Sequence, residues 1–175
     1  YGNLKVHYEA PPSKDLPQLI NQFLNWYQTF SEKDLGKVGE AMLFSALVHL
    51  YFETLHPFED GNGRIGRALA EKALAEKLEM PIFISLSKAI EKDKAKYYEE
   101  LKKAQRSLQI TDWVVYFFNI LQSALDDTKN LVVFTLKKTN LFDRFKDQLN
   151  ERQLKAINKM MEAGEDGSKG GMTAK

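Results

Sequence analysis

Residues His56-Pro57-Phe58-Glu59-Asp60-Gly61-Asn62-Gly63-Arg64-Ile65-Gly66-Arg67 set an imidazole, the Asp60 carboxylate, three glycines and two guanidinium groups in one short stretch. Each glycine costs roughly 1 kcal/mol relative to alanine inside a helix, so helix stability does not recommend them. Close approach of the backbone to a ligand does. Uncapped N–H groups at a helix start carry about half a positive charge, and a Gly-rich turn can aim several of them at one anion, for which phosphate is the natural candidate. Arg64 and Arg67 lie three apart in the first turn, where cations oppose the helix dipole; they make sense against polyphosphate. Asp60 offers a hard oxygen, and magnesium usually takes only one or two carboxylates plus phosphates and waters. His56 supplies an imidazole, a side chain that ordinarily titrates in the range a general base needs at neutral pH.

Each residue also has an ordinary reading. A histidine at a helix end serves as a cap or surface group, Arg67 can pair with Glu71 four residues on for about 0.2 to 0.5 kcal/mol, and Asp60-Gly61 and Asn62-Gly63 are common turn dipeptides. Gly61-x-Gly63-x-x-Gly66 also matches the dinucleotide fingerprint, but it follows a helix rather than a strand, so that match is set aside. No single ordinary reading covers all of these residues together.

The elements that must position the loop are helical. Prolines fall only at 11, 12, 17, 57 and 81, leaving the second half free of the strongest helix breaker. Residues 15–30 place Leu19, Ile20, Phe23, Leu24, Tyr27 and Phe30 at helical steps, with Pro17 in a first turn. Residues 35–55 are apolar on most sides, which predicts a central helix enclosed by others. Its polar residues Ser45, His49 and Glu53 form one stripe at four-residue spacing leading to His56; the stripe either orients the loop from beneath or is a solvated or internally hydrogen-bonded face. Helices are further predicted over 64–78, 87–107 and 111–149, the last broken or bent near 126–130. Strand candidates are confined to 4–10, halted by Pro11-Pro12, and an extended link at 82–85. From Asn150 a short helix runs through Met161, followed by closely spaced glycines at 164, 167, 170 and 171 that read as a flexible stretch or turn.

The 175 residues suit one domain plus a tail. Twenty-five Lys and Arg against 24 Asp and Glu leave a net charge of +1, so no whole-protein field argues for nucleic acid or an anionic membrane, and any phosphate site must be local. The absence of cysteine excludes disulfides, a thiolate nucleophile and Cys-ligated zinc, and 43% hydrophobic residues argue against disorder. No apolar run approaches a membrane span, and no secretory signal opens the sequence; a soluble, cytoplasmic domain is expected, and the start at Tyr1 reads as a fragment or processed product.

The loop resembles the Fic-family signature His-Pro-Phe-x-(Asp/Glu)-Gly-Asn-Gly-Arg-x-x-Arg, with all nine specified positions matched by residues 56–67. The likeness extends from Val6-His-Tyr-Glu-Ala-Pro-Pro12 through Lys96-Tyr-Tyr98 to about Leu149. It implies an all-α Fic-type helical bundle with a small β-hairpin flap at about 4–12, a Fic domain over 1–149, and a partial segment over 150–175 that reads as the start of a winged-helix module. It further implies transfer of AMP from ATP to a Ser, Thr or Tyr hydroxyl of a target protein. His56 would take the hydroxyl proton, Asp60 would hold Mg2+, Gly61, Asn62 and Gly63 would cradle the phosphates with Asn62 on the α-phosphate, and Arg64 and Arg67 would clamp the outer ones. Phe58 is expected to anchor the loop in the core. Tyr98 and Gln105, seven apart on one helix face, match positions that contact adenine and ribose; as plain residues they read as helix surface, and family members often carry Asn where Gln105 stands. Val6, His7, Tyr8 and Glu9 would dock an extended target segment on the flap edge; an ordinary hairpin is the plain alternative.

Removal of AMP, another Fic-type phosphotransfer, or a regulatory DNA-binding role through the truncated winged helix are the competing functions. DNA binding is disfavoured because no recognition helix or basic cluster is present. Many Fic proteins carry an inhibitory helix reading Ser/Thr-x-x-x-Glu-Gly/Asn; Ser87 to Glu91 is followed by Lys92 and fails that pattern. If the chain is a fragment, such a helix would belong to a missing N-terminal region, and the chain as given is expected to be relieved of that brake and to automodify more than a longer form.

Overall fold

The computed structural model describes residues 10–145 and 147–162. Its helices are α1 (Leu16–Thr29), α2 (Gly36–Leu55), α3 (Asn62–Leu78), α4 (Leu86–Glu91), α5 (Lys94–Ala104), α6 (Thr111–Phe145) and α7 (Glu151–Glu162), with a single 3-10 turn at Lys33–Leu35. No strand occurs among the described residues. The expected all-helical class is therefore observed, whereas the flap residues 4–9 lie outside the described ones and 10–12 adopt no regular structure. None of the described helices is long and apolar enough to cross a membrane.

Contacts divide the chain into two compact units, Tyr1–Asp126 and Asp127–Lys175. In the first, α2 is the buried axis anticipated from its all-round apolarity: Ala41, Phe44, Ala46, Val48, Leu50, Phe52 and Leu55 are all buried. Aromatic rings seat α1 on one side, with Phe23 edge-on to Tyr51 at 5.1 Å and Tyr27 against Phe44 at 4.8 Å between centroids. On another side Leu86 and Ile90 of α4, Tyr97 and Leu101 of α5, and Trp113, Phe117 and Leu121 of α6 join the same core as Ala41, Ala46 and Leu50. The buried Trp113 indole donates to the Ala46 carbonyl at 3.0 Å, so its one polar atom is satisfied inside. The small residues Gly66, Ala70 and Ala73 are the buried positions that let α3 come close to α2, and Ser45 Oγ donates to the Ala70 carbonyl at 2.8 Å.

Two helix boundaries differ from expectation. The single helix anticipated over 87–107 is two, because Asp93 accepts from the Lys96 amide at 3.1 Å and caps a fresh start, as Ser85 does for α4 by accepting from Lys88 at 3.3 Å. The break expected near 126–130 is absent: α6 continues through it, since none of those residues is Gly or Pro and Gln122 donates to Asp126 one turn on at 3.2 Å. The division into two units does fall in that stretch. In the second unit α7 begins where anticipated, because Asn150 and Gln153 exchange side-chain-to-backbone bonds at 2.9 and 3.0 Å as a capping box. Residues 82–85 form the expected non-helical link, without a strand partner among the described residues.

Phe117 is fully buried and packs on His49 and Trp113. Phe117→Ala is expected to lower unfolding free energy by about 3 to 5 kcal/mol, read from the midpoint of urea denaturation with unchanged m-value.

Candidate functional site

The site begins where α2 ends. His56 adopts a left-handed conformation (φ 45°, ψ 55°), rare for a side-chain-bearing residue, and its amide still bonds the Phe52 carbonyl at 3.0 Å. Pro57 follows and cannot extend the helix. The chain therefore leaves the buried axis with the imidazole at its very end, exposed and on the wall of a cavity of about 580 Å3.

The loop is braced from within. The Asn62 side chain is buried and spent on Phe58, accepting from its amide at 3.0 Å and donating to its carbonyl. The Phe58 ring, expected in the core, is about half exposed (49%) and meets Phe52 with centroids 6.3 Å apart. Its backbone rather than its ring holds the turn, because the Asn62 amide supplies both partners for the peptide groups that the reversal would otherwise strand. Gly61 closes the turn at φ 87°, a conformation that disfavours any residue with a Cβ.

α3 starts immediately after, without a side-chain cap and without an acidic residue in its first turn. Its first intrahelical bond joins the Ile65 amide to the Gly61 carbonyl at 3.0 Å, so the amides of Asn62, Gly63 and Arg64 precede the helical ladder. Two guanidinium groups flank them. Arg64 Nη2 donates to Asp60 Oδ2 at 3.0 Å, and Asp60 Oδ1 accepts from the Gly61 amide at 2.6 Å. With side chains 74% and 91% exposed, the Arg64–Asp60 pair is weak and easily exchanged for other partners. Arg67 Nε donates to Ser87 Oγ at 2.8 Å, and its Nη1 lies 3.2 Å from where Gly63 would carry a Cβ. The alternative pairing of Arg67 with Glu71 is not made; Glu71 instead accepts from the Leu86 amide at 2.9 Å. Positive pole, two cations and no first-turn acid together give this end of α3 an electrostatic character that favours an anion.

α5 supplies the other wall of the cavity. Tyr98 and Gln105, seven residues apart, line it together with His56, Glu53, Glu99, Leu101 and Lys102. Gln105 is the C-cap of α5, and its Nε2 donates to the Glu53 carbonyl at 3.0 Å, tying α5 to the last turn of α2. Tyr98 is largely exposed, with its ring edge-on to Tyr97 at 5.1 Å. Lys102 went unnoticed in the sequence although it stands four residues after Tyr98, the spacing that puts it beside Tyr98 on a helix; Glu99, one residue on, carries no such signal. Val6, His7, Tyr8 and Glu9 lie outside the described residues.

The Ser45–His49–Glu53 stripe is buried throughout. His49 Nε2 is 2.8 Å from the Tyr97 hydroxyl, while the ring stacks on Trp113 and packs on Phe117. Burial pushes the His49 imidazole down to about 4 and the Tyr97 hydroxyl upward. It pushes the Glu53 carboxyl in the other direction, up to about 7, against the pull of the nearby Arg67. Glu53 Oε1 has no hydrogen-bond partner among the described residues and sits 2.4 Å from where a Gly66 Cβ would lie. Gly66 is therefore required by space, because α2 and α3 close upon this carboxylate.

No group of three His, Cys, Asp or Glu side chains suited to hold a metal occurs among the described residues. Asp60 alone, exposed beside the loop, fits a magnesium ion that arrives with its own phosphate and water ligands better than one held by the protein alone.

Against this geometry, residues 2–74 match the model of the Fic/DOC family. A probable protein adenylyltransferase of Aquifex aeolicus is 30% identical over 122 residues, covering 65% of this chain and 36% of the relative. The matches support the Fic family. The protein adenylyltransferase Fic of Drosophila virilis is 30% identical over 118 residues, 67% of this chain but 22% of its own length. The chain thus spans about a third or less of these Fic relatives. The crystal structure of a Fic family protein from Desulfovibrio desulfuricans G20 superposes with a TM-score of 0.61 over 90% of this chain and 41% of that one; at 23% identity it bears on the fold alone, which is the helical Fic fold.

The buried His49 yields a signed expectation. Because its folded pKa lies below the ordinary 6.5, its contribution to stability is present above pH 6.5 and lost as pH falls toward 4, in total on the order of 3 kcal/mol. His49→Gln removes the titration, so the difference in unfolding free energy between wild type and variant, measured by urea denaturation, should narrow by about that amount between pH 7 and pH 4.

Proposed function

We propose that the chain is a protein adenylyltransferase that moves AMP from ATP to a Ser, Thr or Tyr hydroxyl of a target protein. The reading is carried by one juxtaposition: His56, at the end of the buried α2, shares a cavity wall with Tyr98 and Gln105 and stands at the opposite end of a braced turn from the uncapped, doubly cationic start of α3. A triphosphate on that start and a nucleoside along α5 would place the reacting phosphorus near the imidazole. The twelve-residue signature and the names of the relatives support the same reaction.

In that reaction His56 accepts the proton of the attacking hydroxyl, whose oxygen bonds the α-phosphorus while the bond from that phosphorus to the bridging oxygen breaks and pyrophosphate leaves. The amides of Asn62 and Gly63, and that of Gly61 once Asp60 releases it, cradle the phosphates; the Asn62 side chain contributes by fixing the turn through Phe58. Arg64, released from Asp60, and Arg67 balance charge developing on the outer phosphates. Asp60, once free of Arg64, is the residue that would hold magnesium carried by ATP, where the ion would offset phosphate charge. Tyr98 and Gln105 contact adenine and ribose. Residues 6–9 would receive an extended target segment by strand addition.

Incubation of the chain with ATP labelled at the α-phosphate, with magnesium, should label protein, including the chain itself, and label at the γ-phosphate should not transfer. His56→Ala should reduce transfer by about 100-fold or more while retaining ATP binding by calorimetry. Transfer of γ-label, or undiminished labelling in the variant, would contradict the proposal.

A further inference from the structure

Glu53 is unusual among the residues around the cavity. The residue is 6% exposed, it lines the cavity, and Oε1 is buried without a hydrogen-bond partner among the described residues. That oxygen faces the first turn of α3, 3.9 Å from the Cβ position of Gly63 and 2.4 Å from that of Gly66. Arg67 Nη1 reaches the same Gly63 position at 3.2 Å. A carboxyl and a guanidinium therefore converge on one backbone point of the anion site without the hydrogen bonds that would satisfy a buried charged pair. Arg67 is oriented instead by Ser87, so Glu53 acts on it through space.

We propose that Glu53 is a positioning residue and proton-linked counter-charge to Arg67: an anion taken up at the start of α3 draws a proton onto Glu53, and the ionised carboxylate weakens the grip on that anion. The proposal rests on reading the start of α3 as the phosphate site. The physics is Coulombic. An ionised Glu53 offsets Arg67 and repels the incoming charge, and in a site shielded from water such effects are stronger than at the surface. The carboxyl already sits at about 7 through burial, so near neutral pH a bound anion tips it to the neutral form. Other titratable or charged groups facing it are Arg67 on α3, Tyr97, Glu99 and Lys102 on α5, and His49 and His56 on its own helix. His49 is held neutral at this pH by burial, and Tyr97 keeps its proton, which leaves His56 as the group whose protons must be separated from those of Glu53.

The test uses inorganic tripolyphosphate as the probe, titrated calorimetrically into the whole chain in two buffers of different ionisation enthalpy, from pH 6 to 8. The wild type should take up more protons per bound anion at pH 7 than Glu53→Gln does, and the difference should survive in the His56→Ala background. Glu53→Gln should bind about three- to tenfold more tightly than wild type at pH 8 and equally at pH 6. Independently of any variant's folding, difference infrared spectra of the wild type should show a protonated-carboxyl C=O band growing as tripolyphosphate is added. Equal proton uptake in wild type and Glu53→Gln, or binding to the wild type without that band, overturns the proposal while leaving the anion site standing. Failure of the wild type to bind tripolyphosphate or ATP removes the anion site itself and the proposal with it.

Discussion

The close approach of α2 and α3 governs this structure. α2 buries apolar side chains on nearly every side, yet it carries a polar stripe along its contact with α3, and α3 meets that stripe with Gly66 and Ala70. Buried polar groups are tolerable only where their partners are supplied, and here most are: Ser45 reaches a carbonyl of α3 and His49 reaches Tyr97. His49 Nδ1 and Glu53 Oε1 are left without a hydrogen-bond partner among the described residues, and Glu53 is the member nearest the loop. A side chain at position 66 would occupy the space of that carboxyl, so the absence of a Cβ there positions the start of α3 relative to the end of α2.

That arrangement brings two helix ends together across one short turn. The C-terminus of α2 delivers an imidazole in a left-handed conformation, and a short braced turn later the N-terminus of α3 presents amides ahead of its hydrogen-bonded ladder. A helix is rigid along its length but chemically incomplete at its ends, so joining two ends by a turn fixed through Asn62 combines geometric precision with unused hydrogen-bonding capacity. α5 completes the wall, and the bond from Gln105 to the Glu53 carbonyl ties it to the same last turn of α2.

The charges around the turn differ in environment, and the difference decides their roles. Asp60 and Arg64 face solvent, where their attraction is screened and readily exchanged for a phosphate or a cation. Glu53 is shielded, so burial raises the same chemical group to about 7 against the pull of Arg67. One carboxyl is thereby suited to ligation and the other to tuning, though they lie only seven residues apart in sequence.

The linear order of residues was enough to find the helical class, the enclosed α2 and the turn between two helices, because helical periodicity, proline and glycine act over a few neighbours. It also specified the start of α7, since a capping box is local. Other features were misread, some although their causes are just as local and some because distant segments decide them. The split of α4 from α5 hung on which of several polar residues became a cap, the continuity of α6 on the absence of any breaker rather than on the polarity that suggested one, and Phe58 was left half exposed because the buried Asn62 took over the bracing expected of its ring. Arg67 turned to Ser87 twenty residues away instead of to Glu71 on its own helix. The meaning of Glu53 was the least visible in sequence: four-residue spacing places it on a stripe, but whether a stripe is solvated or buried depends on what packs against it, and only the tertiary approach of α3 removes that carboxyl from water.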